Sequence, residues 1–299
     1  MVPVFLAIFI PVKNYFKVLT NDEMIVIPDW IELLSFPFMQ RAIIGGILLG
    51  LLGGLLGGFV ILRKLSMLGN TLSHVALIPV VISTLFQLPT TLCLIGFIIL
   101  TGIAILYLTD QTDLGSDTIL GIVVAGSVAL GIMGFTLIEG YRGNLLSILF
   151  GDILAISELD LIILTILLVI TIVSLVWTLP QQILLTFNPN LAKVQGILVE
   201  PYRYGFIILL SLMIALTIRS VGILLVNAFL VIPSATAQLI CDEFIPFLIV
   251  AASLGAVSSV IGMLISGIWN LPSGPSIVLV QLMTFTIMIL FNRYRLLRF

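Results

Sequence analysis

Charge is scarce in this sequence. Only 9 % of its 299 residues are charged, there is a single histidine, and the two cysteines lie far apart. Each shortage excludes something. The 12 basic and 14 acidic residues give a net charge of -2 and leave no basic face of the kind a nucleic acid requires, so no nucleic-acid partner is expected. Cys93 and Cys241 have no C-x-x-C spacing and sit in or beside apolar segments, which suits small membrane residues better than a disulfide or a thiolate metal site. In the N-terminal MVPVFLAIFIPV the first lysine, Lys13, follows the apolar run instead of preceding it, and no small-residue cleavage site is present. No cleaved signal is expected. A G-x-x-x-x-G-K-[ST] phosphate loop, an H-E-x-x-H helix and a serine paired with the histidine on one face are all missing. The sequence therefore predicts no enzyme, and ATP hydrolysis would have to occur elsewhere.

Hydrocarbon takes the place of charge. Hydrophobic residues make up 61 % of the chain, mean hydropathy is +1.32, and apolar windows of roughly 20 residues recur along most of it. These windows lack strict alternation, and backbone polar groups in lipid must be satisfied internally, so helices are expected and a β-barrel is not. The fold class predicted is all-α: a polytopic membrane protein of eight or nine transmembrane helices. Spans fall near 41–62, 67–86, 88–108, 117–138, 159–179, 204–219, 220–241, 245–269 and 272–291. Two segments leave the count open. GNLLSILFGDILAISELD (143–160) is short and polar, and in SVGILLVNAFLVIPSATAQLI Pro233 should kink or break the helix; either segment could be re-entrant.

If the spans alternate, Arg63 and Lys64, Lys193 and Arg203, and Arg293, Arg295 and Arg298 share one side, which the positive-inside rule makes cytoplasmic. Arg219 falls on the other side, and the purely acidic DQTDLGSD loop falls on the cytoplasmic one. Residues 1–40 read as an interfacial lead-in, 41–292 as the transmembrane domain, and 293–299 as a basic cytoplasmic tail. The longest polar interruption, PQQILLTFNPNLAKVQGILVEPYRYG (180–205), is predicted to be a cytoplasmic elbow with a helix of its own after Asn188 and Pro189.

In the first span, GGILLGLLGGLLGG places Gly46, Gly50, Gly54 and Gly58 on one helical ridge that Gly53 and Gly57 widen. Ala251, Gly255 and Ser259, with Ser258, Gly262 and Ser266, repeat the pattern in the eighth span. Ridges of this kind let two helices approach closely, for tight packing or for movement against a partner.

The lone histidine lies in LGNTLSHVALIPV. His74 shares a helical face with Asn70, four residues earlier, with Ser66 a turn further back and Ser73 beside it. A helix starting near Ser66 puts His74 roughly 12 Å along its axis, approaching the middle of a hydrocarbon core about 30 Å thick. An ionisable side chain at that depth faces the bundle interior or a watery cavity and is a functional candidate. An interhelical hydrogen bond for His74 and an N-cap role for Asn70 are the structural alternatives. A neutral imidazole is a good ligand for zinc and an acceptable one for other divalent first-row ions, whereas an amide oxygen is weak. One histidine cannot hold a metal, but two copies facing one another across a symmetric dimer would supply two imidazoles and two amides.

Four stretches together carry a family likeness: MQRAIIGGILLGLLGGLLGGFVILRKLSMLGNTLSHVAL, FNPNLAKVQGILVEPYR, SVGILLVNAFLVIPSATAQLI and LPSGPSIVLV. From about residue 39 to the last span, the sequence resembles the permease subunit of bacterial zinc and manganese ABC importers. That resemblance implies a type II importer fold, a second permease copy, a cytoplasmic ABC ATPase subunit and an extracytoplasmic metal-binding protein, all at a lipid membrane. An aspartate and a histidine four apart lie on the family's pathway and match Asn70 and His74. Asn70 departs from the motif, which removes a negative charge per subunit. The stretch FNPNLAKVQG resembles the family's coupling helix, assigning Asn188, Pro189, Asn190, Leu191, Ala192 and Gly196 to docking on the ATPase; an acidic residue common there is replaced by Asn188 and Asn190.

The expected function is therefore the translocation subunit of an ATP-driven importer for divalent metal of the zinc, manganese or iron class, with the metal as cargo and no stably bound cofactor. A chelated metal or other small cargo through the same fold, or a stand-alone channel, is the alternative. The expected location is a bacterial inner membrane, or a plastid membrane if the gene is organellar, which isoleucine-rich usage would suit.

Overall fold

The computed structural model describes residues 35–138, 151 and 153–296, with side chains to residue 292. Most of the lead-in predicted for 1–40, the first part of the 143–160 segment and the basic side chains of 293–299 lie outside the described residues. Among the described residues eleven α-helices follow in order: α1 (Pro37–Leu62), α2 (Ser66–Val75), α3 (Leu77–Leu85), α4 (Thr90–Gln111), α5 (Ser116–Thr136), α6 (Glu158–Phe187), α7 (Pro189–Val194), α8 (Val199–Val221), α9 (Ile223–Gln238), α10 (Phe244–Trp269) and α11 (Ser273–Leu296). A 3-10 turn at Ile153–Ala155 precedes α6. Among the described residues eight helices are long and apolar enough to cross a membrane, α2 and α3 counting as one, while α9 is a shorter apolar helix. Among the described residues the nine predicted spans thus correspond to eight long helices and one short one.

The bundle is organised around α1. Its glycine ridge lies on α10: a Cβ at Gly46, Gly50, Gly54 or Gly58 would meet Ser259 and Met263, the Gly255–Ala256 backbone, the Ala251–Ala252 backbone, or Leu248 and Phe247 respectively. The two small-residue ridges seen in the sequence are thus partners. Gly53 and Gly57, on a second face, lie against the backbone carbonyls of Phe229 and Leu230 in α9.

Three prolines behave differently from one another. Pro79 has no N–H for the carbonyl of Val75, and the helix is interrupted at Ala76, two residues beyond His74. Pro233, expected to kink or break its helix, leaves α9 continuous. The carbonyl it deprives of a donor is that of Phe229, which packs against Gly53 of α1, so the neighbouring helix covers the defect. Pro180 lies inside α6, which runs on to Phe187 instead of ending near 179. Helices therefore overrun both ends of the 180–205 elbow and leave α7 with its flanking turns as the part outside the long spans.

Side-chain contacts sort the two ends of the bundle. Arg63, at the end of α1, bonds Gln182 and Thr186 of α6, and Arg203 of α8 pairs with Asp110 of α4 at 3.0 Å. At the opposite end Arg219 reaches Thr91, and Arg41 lies 3.8 Å from Glu158. This is the alternation of ends that the basic residues imply. Gly222, between α8 and α9, adopts φ 82° and ψ 164°, a conformation essentially confined to glycine, and lets the chain reverse in a single residue.

Gly50→Ala places a methyl into the Gly255 backbone and forces α1 away from α10. The expected cost is about 1–3 kcal/mol, read as a lowered melting temperature of the detergent-purified protein. Gly96→Ala, whose added carbon meets no atom within 4 Å, should melt unchanged or slightly higher. Equal melting of Gly50→Ala and parent would show that the α1/α10 contact tolerates separation.

Candidate functional site

The face of α2 that carries Asn70 and His74 is set by helical spacing. Leu65, Leu68 and Leu72 turn inward to the core, whereas Met67, Asn70 and His74 lie on the opposite, partly uncovered side. Ser73 is not part of that stripe: it is buried, and its hydroxyl donates to the Gly69 carbonyl at 2.9 Å. Thr71 likewise bonds its own helix at Met67. The polar stripe read from the sequence loses Ser73 and keeps Asn70 and His74, with Ser66 a turn further back.

A third polar residue joins them from another helix. Asn227 of α9 donates from Nδ2 to Oδ1 of Asn70 at 3.5 Å. Its own Oδ1 is buried without a hydrogen-bond partner among the described residues, and so is Nδ1 of His74. Two unsatisfied buried polar atoms in one membrane-level site are costly and leave acceptor capacity for a visitor. Asn227 was absent from the sequence-derived site, although a lone amide within ILLVNAFLVIP is the signal that betrays it, since polar residues inside apolar spans face interiors or pathways. Along α9, Leu224, Asn227 and Val231 form a partly exposed stripe beside that of α2.

All three polar side chains are neutral or weakly basic. Among the described residues no group of three or more His, Cys, Asp or Glu side chains gathers to hold a metal. The donors of one chain are an imidazole and two amides, suited to weak, reversible contact with a cation and too few for a closed coordination sphere.

At one end of the bundle the elbow is a single short helix, α7. Asn188 caps it, its Oδ1 accepting from the Leu191 N–H at 3.0 Å, and Pro189 occupies the first helical position. Gly196 closes it at φ 76°. Ala192 is 0 % exposed, packed with Leu185 and Val199. Its side chain supports the elbow from within and faces away from the outer surface of α7. The outer face carries Asn190, Leu191, Lys193 and Val194, the last 85 % exposed, with Phe187 and Leu198 beside it. The base of the elbow is tied to α1 by Arg63, which donates from Nε to Thr186 at 3.0 Å and from Nη2 to the backbone and side chain of Gln182, while its guanidinium stacks over Phe59 and Phe206.

With this geometry in view, comparison with known proteins is informative. Residues 35–292 match the model of the ABC 3 transport family. The high-affinity zinc uptake system membrane protein ZnuB of Haemophilus influenzae is 32 % identical over 264 residues, 87 % of this chain and 100 % of the relative. The manganese transport system membrane protein MntC of Halalkalibacterium halodurans is 34 % identical over 262 residues, 87 % of this chain and 89 % of the relative. Among solved structures, PsaBC from Streptococcus pneumoniae in complex with Fab superposes with a TM-score of 0.78 at 32 % identity, covering 87 % of this chain and 94 % of that one. A multi-pass helical membrane protein that matches the family over its whole bundle, this chain belongs to the ABC 3 transport family.

Proposed function

We propose that this protein is the membrane-spanning translocation subunit of an ATP-driven importer for divalent first-row metal ions, of the zinc or manganese class, in a bacterial inner membrane or a membrane of bacterial descent. The observation that carries the reading is the trio Asn70, His74 and Asn227, set at membrane depth on a face that the chain's own helices leave partly uncovered. A second copy placed against that face would double the donors to two imidazoles and four amides around one passage. Such a set holds a dehydrating cation briefly and releases it, which is what transport requires of a site that is not a store.

The path needs an energy source outside this chain. An ABC ATPase docked on the outer face of α7 would move α6 and α8, whose ends the elbow joins, and Arg63 would carry that movement to α1. Metal would arrive from a binding protein on the opposite face and pass the His74 level as the bundles rock. Asn188, Pro189 and Gly196 then act by shaping the elbow, and Leu191 with Asn190 by contact.

His74→Ala is expected to abolish zinc- or manganese-dependent growth in a bacterial host lacking its own importers when the permease is expressed with its ATPase and binding protein, with membrane insertion unchanged on blots. Normal metal accumulation in the mutant would remove His74 from the path.

Asn70→Asp should raise zinc or manganese retention by roughly tenfold, because a carboxylate restores charge where water is scarce and still accepts the Asn227 amide. Metal content of the detergent-purified protein, measured by mass spectrometry after equilibrium dialysis, checks this; equal content in mutant and parent would show that position 70 does not line the site.

At the elbow, Leu191→Glu combined with Val194→Glu puts two carboxylates on the exposed face and leaves the buried Ala192 contact intact. An unpaired charge buried in an interface costs several kcal/mol, enough to dissociate a modest one. Loss of co-purification with the ATPase is the expected result; a double mutant that keeps its ATPase and its coupled hydrolysis would favour an ordinary solvated turn and revive the stand-alone channel.

A further inference from the structure

A cavity of about 300 Å³ lies behind α2, on the side away from His74, at the elbow end of the bundle. Leu68, Ile105, Thr109 and Phe206 are among its walls, and Arg63 and Arg203 both face it. The two arginines differ in their surroundings. Arg203 is paired with Asp110 at 3.0 Å and Glu200 at 3.3 Å. Arg63 has hydrogen bonds to Thr186 and Gln182 and two aromatic faces, but no carboxylate within salt-bridge reach among the described residues. A largely buried guanidinium flanked by a second one and left without a counter-charge is a costly arrangement unless an anion completes it.

From the charges, the apolar walls and the position of the cavity, we infer that it is a binding site for an anionic phospholipid, whose phosphate sits on Arg63 and Arg203 and whose acyl chains lie along α4 and α8. Three observations point to that ligand class. Arg63 immediately follows the last residue of α1, a 26-residue apolar helix, which places it at the edge of the hydrocarbon where headgroups lie. The planar guanidinium matches phosphate oxygens bidentately, and its Nη1 group makes no hydrogen bond to a described residue. The walls are mostly hydrocarbon, which suits an amphiphile better than a free ion, and basic pockets between membrane helices bind such headgroups. Burial and the neighbouring Arg203 also hold the pKa of Arg63 down at about 10, so the charged form that persists at neutral pH gains from a counter-ion. Because Arg63 ties α1 to the base of the elbow, lipid at this position would stiffen the joint between them.

The purified full-length protein, stripped of co-purified lipid, is incubated with equimolar phosphatidylglycerol and phosphatidylcholine and examined by native mass spectrometry. The expected result is preferential retention of phosphatidylglycerol by about fivefold or more. Arg63→Gln should abolish that preference. Because Arg63→Gln also loosens the elbow, Thr109→Trp, which fills the cavity and leaves both arginines in place, should abolish it independently. Equal retention of the two lipids, or an undiminished preference in Thr109→Trp, overturns the site. Displacement of phosphatidylglycerol by millimolar inorganic phosphate would overturn the lipid assignment and make the cavity a site for the free anion.

Discussion

The closeness of α1 to α10 is the constraint on which the rest of this molecule depends. In lipid there is no hydrophobic gain in bringing two apolar helices together, so their association rests on van der Waals contact and on backbones near enough to satisfy each other's polar groups. Glycine at four-residue intervals in α1, facing Ala251, Gly255 and Ser259 in α10, removes the side chains that would hold the helices apart. The same helix turns Gly53 and Gly57 to α9, where they lie over the carbonyls of Phe229 and Leu230. One helix thus fixes two others. Since α9 carries Asn227, the position of the polar trio follows from how near α9 comes to α1.

Charge is placed where lipid ends. Arg63, Asp110, Glu200 and Arg203 gather at the elbow end, and Arg41, Glu158 and Arg219 at the other. Between them the only ionisable side chain on the α2/α9 face is His74, and its two companions are amides. A site of neutral donors in a low-dielectric layer discriminates weakly by charge and therefore depends on ligand type and on the geometry that a facing surface imposes. In the proposed role, Asn70 in place of the carboxylate that the family likeness leads one to expect would move the burden of recognition from Coulomb attraction to coordination.

The elbow joins these two themes. Its own helix has only six residues and would not persist alone, but Asn188 caps it, Pro189 starts it, and Ala192 anchors it to the ends of α6 and α8. Phe187, Phe244, Phe59 and Phe206 form a chain of ring contacts at the same level, with Arg63 stacked on the last two. In the proposed mechanism, movement of α7 would pass to α1 through these rings and the Arg63 guanidinium.

By itself the sequence determined the all-helical membrane class, the apolar spans and the two small-residue ridges, because each of these is local: hydropathy and helical period need no knowledge of neighbours. The family likeness added expected roles for Asn70, His74 and the elbow, and the chain's membership of that family rests on the match across residues 35–292. What only tertiary structure decided are matters of which surfaces meet. The two ridges prove to be one contact. Pro233 leaves its helix continuous, with the carbonyl it exposes lying against Gly53, whereas Pro79 interrupts the chain just past His74. Ala192 turns inward although its neighbours Leu191 and Lys193 turn out, since a six-residue helix has one face to spare and α6 and α8 occupy it. Asn227 lies 157 positions from Asn70, and no pattern within a single helix relates them; only the packing of α9 on α2 makes them one site.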